Sequence, residues 1–156
     1  MNYSVIKDCD IADGEGVRIS LFVSGCRHHC KGCFNQETWD FNYGKEFTDN
    51  TIDFIIDLLD KPYISGLSIL GGEPLEPENC LSVAHLIKVV RNTLPTKNIW
   101  LWTGFYLSDL KTRTDESLTY ILNNVDYIVE GPFIENLKDV SLKFRGSSNQ
   151  NIIKVK

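Results

Sequence analysis

The stretch "SGCRHHCKGCFNQ", residues 24–36, sets Cys26, Cys30 and Cys33 in a C-x3-C-x2-C spacing. Four thiolates would close a tetrahedral structural metal site, and two would suit a redox pair. Three leave a metal centre with one open position, where chemistry can take place. Thiolate sulfur is a soft ligand suited to zinc or iron–sulfur clusters. The short spacings let one loop wrap a face of a cubane, giving one sulfur to each of three irons and leaving the fourth for an exogenous ligand. A non-enzymatic zinc-binding module is the other reading of these residues, with Cys9, His28, His29 or His85 as a fourth ligand. Arg27, His28, His29 and Lys31 lie in the same loop. They either soften the charge of three thiolates or form a solvated loop.

The elements around this loop alternate. "VRISLFVSG" (17–25) is β-branched and apolar and reads as a buried strand whose C-terminal end delivers the cysteines. "TDNTIDFIIDLLD" (48–60) has helical spacing, with Thr48 or Asn50 as N-cap. "GLSIL" (66–70) is a strand stopped by "GGEP", and residues 77–94 form a helix opened by Pro77 and closed off by Pro95. "KNIWLW" (97–102) is the next strand, a weaker helix lies within 107–124, and "VDYIVEG" (125–131) is another strand before an irregular tail. Strand–helix alternation predicts an α/β fold with a curved, mainly parallel sheet. About five strands are too few for an eight-stranded barrel, so a shortened partial (β/α) barrel is expected. Gly25, Gly71, Gly72, Gly104 and Gly131 all follow strand C-termini, the end where such folds place ligands. The cysteine loop, the GGEP turn and the WTG turn are therefore expected to line one mouth.

With 156 residues, 42% hydrophobic and 24% charged, the chain suits one globular domain over 1–156. A net charge of -5 disfavours holding nucleic acid by its phosphates. No apolar run approaches the roughly 20 residues of a membrane helix. The start "MNYSVIKDCD" lacks the pattern of a signal peptide, so a cytoplasmic protein with reduced thiols is expected. Five cysteines, three of them together, favour a metal site over a disulfide framework.

C-x3-C-x2-C after the first strand resembles the radical S-adenosylmethionine superfamily. "DGEGVR" (13–18), "FVSGC" (22–26), "GCFNQETW" (32–39), "GGEPL" (71–75), "IWLWTGF" (99–105) and "RGSSNQ" (145–150) follow in the order of one branch, the activating proteins of anaerobic ribonucleoside-triphosphate reductase. The likeness spans nearly the whole chain. It departs where this branch often reads G-P-G, at Gly14-Glu15-Gly16, and where its GG motif often ends in Asp, at Glu73.

The resemblance implies a [4Fe-4S] cluster on Cys26, Cys30 and Cys33 that reductively cleaves S-adenosylmethionine. The 5′-deoxyadenosyl radical then takes a hydrogen atom from a glycine of the reductase. It further implies cofactor contacts at Gly32, Cys33 and Phe34 near the adenine. Gly71 and Gly72 would let backbone approach the methionine part, and Glu73 would accept from its ammonium. Arg145 and Asn149 rank as docking residues by resemblance alone, and flavodoxin is the implied one-electron donor. An activase of another glycyl radical enzyme, of formate-lyase type, is the near alternative. Cys9 and Cys80 read as buried small residues, His85 as a packed histidine, and Trp100 and Trp102 as sharing one strand face.

Overall fold

A computed structural model describes residues 1–156. Seven strands form one sheet in the order β3-β1-β2-β4-β5-β6-β7. They are β1 (Asn2–Asp10), β2 (Val17–Val23), β3 (Lys45–Glu46), β4 (Ile64–Gly71), β5 (Asn98–Trp102), β6 (Tyr127–Glu130) and β7 (Asn151–Lys154). The four central strands β2, β4, β5 and β6 run parallel. β1, β3 and β7 are antiparallel additions at the two sides. The four central strands match the sequence expectation; the three outer ones go beyond it. The helices are α1 (Asp49–Leu59), α2 (Pro77–Thr93), α3 (Leu107–Leu110) and α4 (Glu116–Asn124). Thr48 and Thr51 form a capping box at α1, and Pro77 opens α2, as their sequences predict. The weak helix of 107–124 is two helices, the second capped by Asp115, which accepts from Ser117 and Leu118 N–H. No helix is long and apolar enough to cross a membrane.

Strand alternation gives the sheet two different faces. Ile19, Leu21, Val23, Leu67, Ile69, Ile99, Leu101 and Ile128 point to one face. There they form a core with Ile52, Ile55, Leu59, Val83, Ile87, Leu118 and Ile121 of the helices. The intervening residues Arg18, Ser20, Phe22, Ser68, Leu70, Trp100 and Trp102 point to the other face, which the loops over 11–16 and 133–150 cover in part. Trp100 stacks on Tyr127 at 4.4 Å and on Trp102 at 5.7 Å, so the two tryptophans share a face as expected.

Two of three minor expectations are corrected. Cys9 is exposed, because β1 is bounded on that side only by the two residues of β3. His85 lies on the solvent side of α2, half-exposed, with Nε2 3.6 Å from Asp49. Cys80 is buried as expected.

Arg18 anchors the second face. It is wholly buried. Its Nε donates to Ser68 Oγ at 2.6 Å, Nη1 to Asn98 Oδ1 at 2.7 Å and to the Glu15 carbonyl at 3.0 Å, and Nη2 to the Leu67 carbonyl at 2.8 Å. One side chain thus ties β2, β4, β5 and the loop before β2. Burial lowers its pKa to about 10, which leaves it charged at neutral pH. Arg18→Ala should cost at least about 3 kcal/mol, from the cavity and from partners left without a donor. Arg18→Met, which keeps most of the volume, should cost less. Urea unfolding of the metal-free protein measures both, and losses under about 1 kcal/mol for each would show that the guanidinium is no anchor.

Candidate active site

The ends of β2, β4, β5 and β6 open on one cavity of ≈ 520 Å³, within the roughly 300–1,000 Å³ range of small-molecule sites. Its lining includes Cys26, Cys30, Cys33, Gly71, Gly72, Glu73, Thr103 and Gly104, so the three turns do meet at one mouth. Gly32, Phe34 and Arg145 also line it, whereas Asn149 does not.

The cysteine loop leaves β2 through Ser24 and Gly25. Gly25 has φ +98°, and a Cβ there would lie 2.3 Å from the Phe41 ring, so both backbone and packing require glycine. Backbone donors face the thiols: His28 and His29 N–H for Cys26, Phe133 N–H for Cys30, and Asn35 N–H at 3.4 Å for Cys33 Sγ. Burial pushes the Cys26 thiol up to about 11 and raises Cys30 as well, with the N–H groups opposing it. Thiols aimed into one cavity and flanked by N–H donors fit a cluster, whose sulfurs accept such hydrogen bonds.

Their arrangement suits a cubane face better than a single ion. No three His, Cys, Asp or Glu side chains converge on one point, whereas each sulfur of a cubane face binds its own iron. Of the four fourth-ligand candidates, His85 and Cys9 are placed elsewhere, and His28 and His29 make other contacts. His28 Nε2 lies 3.0 Å from Glu73 Oε2, His29 stacks on Trp39, His85 pairs with Asp49, and Cys9 sits on β1. Arg27 and His28 are not spare charge for thiolates. Arg27 Nη1 donates to Glu76 Oε2 at 2.8 Å, and the Glu73 carboxylate holds His28 above its ordinary pKa.

Gly71 and Gly72 have a packing reason beyond any ligand. A Cβ at Gly71 would lie 2.6 Å from Val23 N, and one at Gly72 would lie 2.8 Å from the Gly25 and Thr38 carbonyls. The glycines let the β4 exit press against the β2 exit. Glu73 is wholly buried, and both of its oxygens already accept protein donors. Phe34 is 86% exposed at the rim. Arg145 Nη1 donates to the Gln150 carbonyl at 2.7 Å, and Asn149 Nδ2 to the Pro132 carbonyl at 2.8 Å. Gln150 lines the cavity where Asn149 does not, and it ties Gly131, Gly146 and Ser147 together. The contacts of Gln150 and Thr103, and that of His28 with Glu73, were not read from sequence, though all three residues sit inside motifs that were.

A family described as a 4Fe-4S single cluster domain matches residues 12–153. The chain is 43% identical over 152 residues to the anaerobic ribonucleoside-triphosphate reductase-activating protein of Enterobacteria phage T4, covering 97% of this chain and 93% of that protein. It is 43% identical over 154 residues to the protein of that name from Vibrio cholerae, covering 97% of each. For the Escherichia coli K12 protein the figure is 41% over 152 residues, 96% of each. The chain belongs to this activating-protein family. Its members' likeness runs from the loop before β2 to β7, and so takes in every segment around the cavity.

One titrating group of the cavity was also missed. Asp13 lines the same cavity as the cysteines. Burial and a hydrogen bond with Asp10 raise its pKa from 3.8 to about 7. Asp10 Oδ2 is buried with no hydrogen-bond partner, and Lys7 Nζ lies 3.9 Å away, so this oxygen is free to accept the Asp13 proton. Folding favours the neutral Asp13, so its contribution is full below the unfolded pKa near 3.8 and is lost as pH rises through about 7. Asp13→Asn supplies a neutral donor at every pH. Its stability relative to wild type should therefore rise between pH 5 and pH 8. Urea midpoints of the metal-free proteins test this, and a difference that stays constant or falls would rule out a shared proton.

Proposed function

We propose that this chain is a radical S-adenosylmethionine activase that generates a glycyl radical on anaerobic ribonucleoside-triphosphate reductase. One observation carries the reading: Cys26, Cys30 and Cys33 meet the Gly71-Gly72-Glu73 turn at one open cavity. The names of relatives alike over nearly the whole chain point the same way. In this reading the three cysteines hold one [4Fe-4S] cluster. Once bound, it supplies the electron that breaks the sulfonium–C5′ bond of S-adenosylmethionine, and the 5′-deoxyadenosyl radical takes a hydrogen atom from a reductase glycine.

The chain's own residues bind, orient and exclude water. Backbone at Gly71 and Gly72 would hold the methionine part, and Gly32, Cys33 and Phe34 would hold the adenine, as the resemblance implies. Trp102, Phe133 and Phe144 supply apolar wall. The sheet serves as a shortened partial barrel within one domain over 1–156. Four parallel strands leave the mouth open, and the reductase completes the wall. Val140, 91% exposed on the rim, and Arg145 suit that docking role, with Asn149 holding the rim loop. A cytoplasmic one-electron donor such as flavodoxin completes the system; neither nucleic acid nor membrane takes part.

Protein purified without oxygen should be brown, bleach in air and contain iron rather than zinc. With the reductase, reductant and S-adenosylmethionine it should give a glycyl radical signal by electron paramagnetic resonance. Zinc in place of iron, or no radical with a competent reductase, would overturn the assignment. Cys26→Ala, Cys30→Ala and Cys33→Ala should each lose a stable four-iron cluster and all cofactor cleavage, while Cys9→Ala and Cys80→Ala keep both. Cluster loss in Cys9→Ala as complete as in Cys26→Ala would refute three-cysteine ligation.

The rim makes a separate prediction. Arg145→Ala should keep the cluster and reductant-driven cleavage of S-adenosylmethionine, yet lower glycyl radical formation on the reductase. Equal losses in both assays would mean that Arg145 supports the cavity itself. No loss in either would remove it from the docking surface.

A further inference from the structure

Glu73 is buried to 0% exposure at the cavity. Its Oε1 accepts from Leu75 N–H at 2.9 Å and Thr103 Oγ1 at 2.8 Å. Its Oε2 accepts from Gly104 N–H at 2.7 Å and lies 3.0 Å from His28 Nε2. A carboxylate offers about four acceptor positions, so every one is filled by the protein. An incoming ammonium would have to displace a donor that already satisfies a buried charge.

These donors come from three segments: the turn after β4, the turn after β5 and the cysteine loop. His28 is the member from the loop, midway between Cys26 and Cys30. Its ring is caged. Phe105 packs against it at 4.4 Å, and a Cβ on Gly104 would come within 2.6 Å of His28 Cδ2 and 2.7 Å of Nε2. The φ of Gly104 is not in the left-handed region. The backbone therefore does not demand glycine there; the imidazole does.

We propose that Glu73, His28 and Gly104 form a latch that fixes the arc between Cys26 and Cys30. Glu73 then serves the cofactor as a positioning residue, through His28, rather than by touching S-adenosylmethionine. This rests on the reading that the three cysteines hold a cluster. Residues that hold metal ligands from behind typically contribute 10- to 100-fold in metal retention. A latch sets how firmly the loop keeps its irons and the surroundings of their sulfurs.

The test uses the full chain reconstituted anaerobically with ferrous iron and sulfide. Three quantities are measured without turnover: the rate of iron release to a chelator, the midpoint potential of the cluster, and the affinity for S-adenosylmethionine. His28→Ala, Glu73→Gln and Gly104→Ala should each release iron roughly 10-fold faster or more and shift the potential. Glu73→Gln combined with His28→Ala should be no worse than the more damaging single change, since both break one unit. His28→Gln, which still offers an N–H to Glu73, should recover part of the loss.

Wild-type release and potential in His28→Ala and Gly104→Ala would overturn the latch. So would weaker S-adenosylmethionine binding by Glu73→Gln with both cluster properties unchanged, which would make Glu73 a direct contact. If Glu73→Gln fails to fold by circular dichroism, His28→Ala and Gly104→Ala decide the matter. A wild-type chain that takes up no iron would instead refute the cluster reading beneath it.

Discussion

A carboxylate with no exposed surface must meet a donor at each lone pair or give up its charge. Glu73 meets that demand by drawing together pieces of chain that are distant in sequence. Around it the β2 and β4 exits are joined backbone to backbone, Gly72 N–H to the Val23 carbonyl and Glu73 N–H to the Gly25 carbonyl, each at 2.8 Å. Asn79 of α2 donates to the Ser24 and Glu73 carbonyls from below. Glu76 repeats the device three residues on, holding Arg27 by side chain and by backbone N–H. Adjacent residues of the cysteine loop thus grip two buried acids of one turn. The loop that carries the thiols is held by the protein's own buried acids.

The same economy governs the sheet. Parallel strands are usually covered by helices on both faces. Here the helix-side residues are nearly all branched aliphatics, whereas the opposite side mixes arginine, serines and aromatics. A guanidinium can lie on that side only because Ser68, Asn98 and two carbonyls surround it. Placing polar groups and rings there, and loops rather than helices above them, leaves a hollow instead of a second core. The cavity follows from which residue types occupy alternate positions of four strands.

Much of this was legible in the sequence. Thr48, Pro77 and the apolar runs gave the helix starts and the parallel strands, because capping and alternation are local signals. The glycines after strand ends marked the mouth. β1 was missed because "NYSVIKDCD" is polar and half-exposed, held by pairing with β2 rather than by an apolar stripe. β7 was missed because "NIIK" is a four-residue, mostly exposed edge strand held by pairing with β6, too short for alternation to show. The three thiols were visible as a spacing. That Glu73 faces inward to His28 and Thr103 was not, since it depends on which turns meet in space. Gly104 shows the limit most clearly: read as a strand-end turn, it is glycine because an imidazole from another loop occupies the space a side chain would need.

The open mouth has its own physical logic. The loop over 138–147 is tied down near its ends, by the Lys138–Ser147 bridge and by Asp139 N–H to the Gly146 carbonyl, and in its interior by Trp102 Nε1 to the Phe144 carbonyl at 2.8 Å. The loop carries Val140 into solvent, and Phe34, which lines the same cavity, is likewise exposed. Two exposed apolar groups lining one hollow are unfavourable in water and favourable once a surface covers them. A small-molecule enzyme of this size would gain by folding those groups inward over its ligand. A protein that must reach a backbone carbon inside another protein gains by leaving them outward, because the partner's own chain then excludes the water. The exposure of Phe34 and Val140 is therefore what the proposed substrate requires of a rim that a sheet of this size cannot close.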